Sequence, residues 1–236
     1  MVNIKKKKMN DAAEHIIITS YENPDIDGVA CMLAYVELLT ATGRAATAAI
    51  FGVPSREARY ALEKLDLEQP PDARAIIKKD TKIVLVDTSG YTKMPITANN
   101  VVEVIDHQKL NKTERFKNAI VQIELVGACA TLIAEKCKHS HKKPSEKAAT
   151  LLYAAILSNS VNFKSSTTTE RDRQMATWLK KQTKGVDAFV ADLWKHKSEV
   201  TDVKQMLEED YNEYTFDGTV GIAQLEIIDA TTFLQR

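Results

Sequence analysis

Asp25, Asp27, Asp87, Asp106 and His107 close or follow three short apolar runs, HIIITS (15–20), KIVLVD (82–87) and VVEVID (101–106). These residue types offer hard oxygen donors and an imidazole nitrogen. Carboxylates gathered in one place repel one another unless a divalent cation sits among them. The pattern predicts a metal site of hydrolytic type. Asp25 and Asp27, two apart in an extended loop, can face different ions, with Asp87 bridging and His107 supplying nitrogen. Asp106 is expected behind them, orienting an imidazole. Two ions about 4 Å apart activate water at neutral pH and neutralise charge on a transferring phosphoryl group. A donor set of oxygen and nitrogen without sulfur favours manganese, magnesium or cobalt over structural zinc. PDIDG (24–28) also has a plainer reading, a turn followed by a helix cap.

Such residues work together only if the chain brings the strand ends to one edge. The run 15–20 reads as a strand, followed by the loop 21–27 and a helix over GVACMLAYVELLTAT (28–42), with Gly43 suited to a left-handed cap. ATAAIFG (46–52) is the next strand, Ser55 caps the helix SREARYALEKL (55–65), and Pro70 and Pro71 mark a loop. After the strands 82–87 and 101–106 come VQIEL (121–125), a helix over 128–138, a helix opened by Ser145 and running to Ser158, and a helix from a capping-box-like Thr169/Asp172 to Lys184. From Val186 the pattern is largely helical, through VKQMLEEDYNEY (203–214), and it ends in a lone strand, TVGIAQLEIID (219–229). Alternating strands and helices predict an α/β fold, a doubly wound and mostly parallel sheet with a short helical and strand remnant at its C-terminal end. In such a sheet ligands bind outside the strand C-termini, where the acidic residues fall.

Composition narrows the function classes. The 236 residues suit one α/β domain with at most a short appendage, and 44% hydrophobic content supplies a core. The 32 basic and 32 acidic residues cancel and aromatics are only 6%, so no basic groove with stacking platforms for nucleic acid is expected. The run Lys5–Lys8 reads as a solvated tail. No apolar stretch reaches the roughly 20 residues of a membrane span, and no signal-peptide core is evident. Cys31, Cys129 and Cys137 have no CxxC spacing and read as reduced, mostly buried thiols, in keeping with a cytoplasmic protein. Cys137, His139 and His141, in KCKHSHKK, read as a polar loop in preference to a metal cluster. Trp178 and Trp194 fall on amphipathic helical patterns and are expected in the core or an interface.

ENPDIDG (22–28), VLVDTSG (84–90), EVIDHQ (103–108), IELVGACATLIAE (123–135) and ILSNSVNFKSSTTTERD (156–172), in that order, resemble the DHH phosphoesterase superfamily and within it the family II inorganic pyrophosphatases. The likeness continues into DYNEYTFDGTVGIAQLEIID (210–229). The resemblance implies an α/β domain with a dinuclear, typically manganese, centre, a smaller C-terminal domain closing over pyrophosphate, and a homodimer joined through an edge strand. On that reading residues 1–14 are a basic tail, 15–185 the DHH-type metal-site domain, and 186–236 a helical linker with the truncated start of the C-terminal domain.

Departures from the pattern are equally informative. Tyr21 stands where the family places a histidine ligand; a phenol titrating near 10 is a poor ligand at pH 7, and Glu22 is a conceivable substitute. Gln108 replaces the second histidine of the signature and cannot carry a proton. Asn159 replaces the fourth metal-binding aspartate: its amide oxygen can coordinate but brings no charge. Asn212 stands in place of a pyrophosphate-binding lysine. Lys164 and the run 165–169 could touch an anion, and Gly127 could open an anion-binding helix end. The resemblance therefore implies a metal-dependent phosphoanhydride or phosphoester hydrolase of weakened or altered activity, acting on a small phosphorylated substrate. The alternative is a non-catalytic homologue that keeps the fold, one metal and a dimer contact. One ion, held by Asp27, Asp87, His107 and Asn159, is expected in preference to two.

Overall fold

Five short aliphatic runs pair side by side in parallel: β1 (Ile16–Thr19), β2 (Ala46–Ala48), β3 (Lys82–Val86), β4 (Val101–Asp106) and β5 (Ile120–Ile123), in the order β2-β1-β3-β4-β5. The computed structural model describes residues 15–90, 96–108, 115–199, 202–204, 207, 211–215, 217–223 and 226–228. The basic tail expected over 1–14 lies outside the described residues.

β1 and β3 are mostly apolar because both sheet faces are covered there, whereas β4 carries Glu103, bonded to Tyr35 and Lys136, and the edge strand β5 is partly exposed. Side chains alternate across the sheet. Ile16, Ile18, Val84, Val86 and Ile105 face the larger core, packed by α1 (Ile26–Ala41), α4 (Cys129–His139), α5 (Glu146–Asn159), α6 (Glu170–Lys180) and α7 (Val186–Ser198). Ile17, Ile83, Leu85 and Val104 point the other way, onto Ala73 of the short α3 (Ala73–Ile76), Ile96 and Phe116. Burying each such side chain contributes about 1.5–3 kcal/mol. The winding is thus two-sided but uneven, with most helix on one face. Trp178 and Trp194 pack against the larger core, as their amphipathic positions predict.

Helix ends follow the local chemistry. Gly43, at φ +84, takes the left-handed position after α1. Ser55 accepts from Ala58 N (3.2 Å) to start α2 (Arg56–Lys64), and Ser145 caps α5 through Ala148 N (3.2 Å). Thr169 and Asp172 close a reciprocal capping box on α6.

Three element boundaries differ from the sequence expectation. The second strand is regular only to Ala48; beyond it, single bridges tie Phe51 to Glu22 and Ile50 to Asp72, because β1 ends at Thr19 and offers no further partner. Helix α6 stops at Lys180, and Gly185, at φ +66, sets up α7. The stretch YNEY (211–214) is not helical: β6 (Tyr211–Thr215) pairs antiparallel with β7 (Thr219–Ala223), so the strand expected to stand alone has a partner. Tyr and Thr favour a pleated strand, and the Asp217–Gly218 pair between the strands is a hairpin signal that outweighs the charge pattern of 203–214.

Candidate metal centre

The connection from β1 leads outward to β2, while that from β3 leads outward to β4 on the other side, so adjacent β1 and β3 mark the switch point of the sheet. The segments leaving β1, β3 and β4 carry Asp25 and Asp27, Asp87, and His107, and Asp27, Asp87 and His107 meet above this point.

Asp25 is the N-cap of α1, its Oδ1 accepting from Asp27 N (2.8 Å) and Gly28 N (3.1 Å). A Cβ on Gly28 would lie 2.7 Å from Ser20 Oγ, so glycine lets the first turn press onto the end of β1. Asp27, fully buried, aims its carboxylate at the N-terminus of α4. Oδ1 accepts from Ala130 N (2.8 Å) and the Cys31 thiol (3.4 Å); Oδ2 accepts from Cys129 N (2.7 Å) and Asn159 Nδ2 (2.8 Å). Orphan N–H groups and the positive end of the helix dipole thus stabilise this carboxylate in the interior.

Asp87 follows β3 in the left-handed region, at φ 58, which an aspartate tolerates better than most residues. Its amide donates to Ile105 O (2.8 Å), carrying the parallel β3–β4 pairing to the strand ends. His107 Nδ1 lies 3.0 Å from Val126 O; a carbonyl only accepts, so Nδ1 carries the proton and Nε2 faces inward. Nε2 is 3.2 Å from Asp87 Oδ1 and 3.8 Å from Asp27 Oδ2. One ligand atom from each of Asp27, Asp87 and His107 lies within 4.8 Å of the others.

Two carboxylates face one imidazole in this cluster. Burial pushes the Asp87 carboxyl well above the usual carboxylate range, and Asp27 adds to the rise. Burial likewise raises Asp27, against the pull of His107 and the Ala130 and Cys129 amides. Burial opposes charge on His107, yet contact with Asp87 and the field of both carboxylates outweigh it and lift the imidazole to about 10. A buried Asp87 Oδ1 with no hydrogen-bond partner, despite Nε2 at 3.2 Å, is the group a cation would satisfy. Two carboxylates and one imidazole nitrogen suit a divalent ion of the manganese type, so the residues fit such a group.

The other site expectations divide. Asp25 lies close enough to raise the Tyr21, Asp27 and Asp87 carboxyl or phenol groups; its Oδ1 caps α1, and it is not one of the three clustered donors. Tyr21 receives Asp25 N on its hydroxyl (3.0 Å), and burial, then Asp25 and Asp87, push its pKa far up, so it stays a neutral phenol. Glu22 pairs with Arg74 (3.0 Å) on the surface and does not take Tyr21's place. Asp106 does not orient the imidazole: its Oδ1 accepts from His107 N (2.7 Å) and Gln108 N (3.3 Å), and Val126 O holds the ring instead. Asn159 reaches the cluster through its amide nitrogen, as a donor to Asp27. Gln108 is exposed next to His107, and Lys164 is exposed after α5. Asn212 lies in β6; its side chain lies outside the described residues. The N-terminal amides of α4 after Gly127 do bind an anion, but that anion is the chain's own Asp27. Cys137 is buried within α4, away from any donor cluster among the described residues.

Sequence reading missed the backbone partners Val126 O, Cys129 N and Ala130 N, and the thiol of Cys31. Backbone groups carry no residue-type signal; only the small-residue stretch VGACA before a helix hints at a close approach.

The geometry agrees with comparisons to known proteins. Residues 15–156 match the family model described as the DHH family, N-terminal domain. The chain is 30% identical over 225 residues to the manganese-dependent inorganic pyrophosphatase of Methanothrix thermoacetophila, covering 92% of this chain and 71% of the relative. It is 30% identical over 228 residues to a Bacillus licheniformis protein ascribed to the same enzyme, covering 94% and 74%. A crystal structure of a Methanococcus jannaschii protein assigned to the family II inorganic pyrophosphatases superposes with TM-score 0.75 at 27% identity, covering 93% of this chain and 75% of that one. Parallel strand order, strand-end donors and sequence all point one way: this chain belongs to the DHH family, among the relatives of the manganese-dependent inorganic pyrophosphatases.

Proposed function

We propose that the protein is a manganese-dependent hydrolase of phosphoanhydrides, slow towards pyrophosphate, with one well-held metal position formed by Asp27, Asp87 and His107. The observation that carries this reading is the buried Asp87 Oδ1, which makes no hydrogen bond and has His107 Nε2 3.2 Å away, beside Asp27. A bound divalent ion supplies Lewis-acid polarisation and charge neutralisation at a phosphoryl group. The chain's residues prepare for this: four donors hold the Asp27 carboxylate still, and Val126 O fixes the His107 ring with Nε2 inward. Gln108, beside His107, can hold an anionic oxygen but gives no proton, which argues for slow turnover. A second ion is disfavoured because Tyr21 is a neutral phenol.

A non-catalytic homologue is the second reading, favoured by Asn159, which spends its amide as a donor to Asp27 and adds no charge. A homodimer fits either reading. β5 is an edge strand, and Ile120 (71% exposed) and Leu125 (62%) lie uncovered along and just beyond it. A reducing, cytoplasmic setting accords with three free buried thiols and with the lack of a membrane-crossing helix among the described residues.

The test is phosphate release from pyrophosphate, short polyphosphate and a dinucleotide panel with Mn2+, for the parent and for Asp87→Asn, which tolerates the left-handed backbone. Slow release that Asp87→Asn abolishes supports the hydrolase. Absence of release from every substrate, with Mn2+ still bound, would replace it with the non-catalytic reading.

A further inference from the structure

We infer that Asp172, the N3 residue of α6, is a positioning residue for the metal centre, acting through segment 126–131; this rests on the metal-site reading above. The Asp172 carboxylate is completely buried. Oδ2 accepts from Gly127 N (2.9 Å), Thr169 N (2.7 Å) and Thr169 Oγ1 (2.7 Å), and Oδ1 from Thr131 Oγ1 (2.5 Å). Helix capping accounts for the Thr169 contacts. It does not account for the two bonds to residues more than 40 positions earlier in the chain.

Those two bonds bracket the groups that the centre uses. Between Gly127 and Thr131 lie Cys129 N and Ala130 N, which donate to Asp27 at 2.7 and 2.8 Å, and just before Gly127 is Val126 O, 3.0 Å from His107 Nδ1. Asp172 therefore pins both ends of a six-residue segment that orients one carboxylate and one imidazole of the cluster. Close packing supports the same role: a Cβ on Gly127 would stand 3.1 Å from the Asp172 carboxyl carbon, so glycine there makes room for the carboxylate. Gly127 N and Thr169 N can only donate, so an amide in its place must keep its oxygen on them and turn its N–H to Thr131 Oγ1, whose hydroxyl then has to reverse and accept, and the charge that strengthens all four bonds is lost. Groups that hold metal ligands in place typically govern affinity by about 10- to 100-fold.

The experiment compares Mn2+ affinity by calorimetry and by electron paramagnetic resonance for the parent, Asp172→Asn and Thr169→Ala. Asp172→Asn is expected to weaken Mn2+ binding by about 10- to 100-fold. Thr169→Ala loosens the same helix cap but leaves the Gly127 and Thr131 bonds, so it should lower the melting temperature and leave affinity within about twofold of the parent. Equal affinity for Asp172→Asn and parent overturns the inference, as does an equal loss in Thr169→Ala. Should Asp172→Asn fail to fold, Thr131→Val removes the Oδ1 bond alone and is judged by the same tenfold criterion. A second readout needs no metal: in the metal-free protein the His107 Nδ1 proton, labelled with 15N, should exchange slowly in the parent and faster in Asp172→Asn. Unchanged exchange overturns the inference even if the parent binds no Mn2+, an outcome that would instead defeat the metal-site reading.

Discussion

Asn159 donates its side-chain N–H to Oδ2 of Asp27 at 2.8 Å, so the last residue of α5 meets the cluster as a neutral donor and not as another carboxylate. Asn159→Asp would remove that donor and set a like charge against Asp27. In chelator the variant should lose roughly 1.5–3 kcal/mol of stability, the contribution of one hydrogen bond to a charged group. With Mn2+ present the added carboxylate becomes a ligand, so the metal-induced rise in melting temperature should exceed the parent's. Thermal unfolding with and without Mn2+ checks both halves; an equal rise in both proteins would defeat the argument.

Asp87 is strained by electrostatics and not by packing. Burial and Asp27 both raise its carboxyl, so its charge opposes folding when no cation is present. Asp87→Asn is expected to melt no lower than the parent in chelator and to gain nothing from Mn2+. For the parent, Mn2+ at a hundred times its Kd should add about 2.7 kcal/mol. Denaturant titrations in the two conditions measure the difference directly.

Stability should fall in mild acid partly through His196. Its ring stacks on Tyr60 at 4.1 Å between centroids. Burial, then Arg56, with a smaller push from Lys64, depress its pKa below 6.5, against Glu199 and Glu63. Above 6.5 the ring is neutral in both states and its contribution is complete. As pH falls from 6.5 towards the folded-state value, the unfolded chain takes up a proton that the folded chain resists, so stability drops. His196→Phe keeps a ring on Tyr60 and removes the titration; its stability should vary less between about pH 6.5 and 5 than the parent's.

The turn after Asn159 is left-handed for three residues, with Val161, Asn162 and Phe163 at φ 49, 52 and 64. Arg173 holds it, donating to Phe163 O (3.2 Å) with its guanidinium 4.9 Å from the ring centroid. A β-branched valine pays most for this backbone, about 1–2 kcal/mol. Val161→Asn should raise the melting temperature by about 2–4 °C, the shift that 1 kcal/mol produces in a chain of this size. An unchanged or lower value would mean that the turn is not strained.

Ile120→Lys places a charge on the exposed edge strand. If β5 joins two copies, light scattering should show a dimer for the parent and a monomer for the variant, with the same Mn2+ affinity for both. A monomeric parent would remove the dimer from the proposal.

The strand ends were legible in the sequence because runs such as KIVLVD and VVEVID are mostly aliphatic and close on an aspartate, as strands covered on both faces tend to read. Local rules also settled the caps: Ser55, Ser145 and the Thr169/Asp172 box each work through atoms within three residues. The same locality concealed β6, whose pairing with β7 depends on the turn between them more than on its own charge pattern.

At the centre, residue type and spacing determined that Asp27, Asp87 and His107 would share one sheet edge. What each atom does there was decided by folding. Asp25 became a cap because its own helix offers it two amides 2.8 and 3.1 Å away. Asp106 lost the imidazole to Val126 O, and Asn159 turned its nitrogen towards Asp27. The last two assignments join residues 19 and 132 positions apart, one of them through a backbone carbonyl that every residue type possesses. A sequence names the side chains that can donate or accept; only the packed chain fixes which of them meet, because hydrogen bonds depend on distance and angle that no residue type encodes.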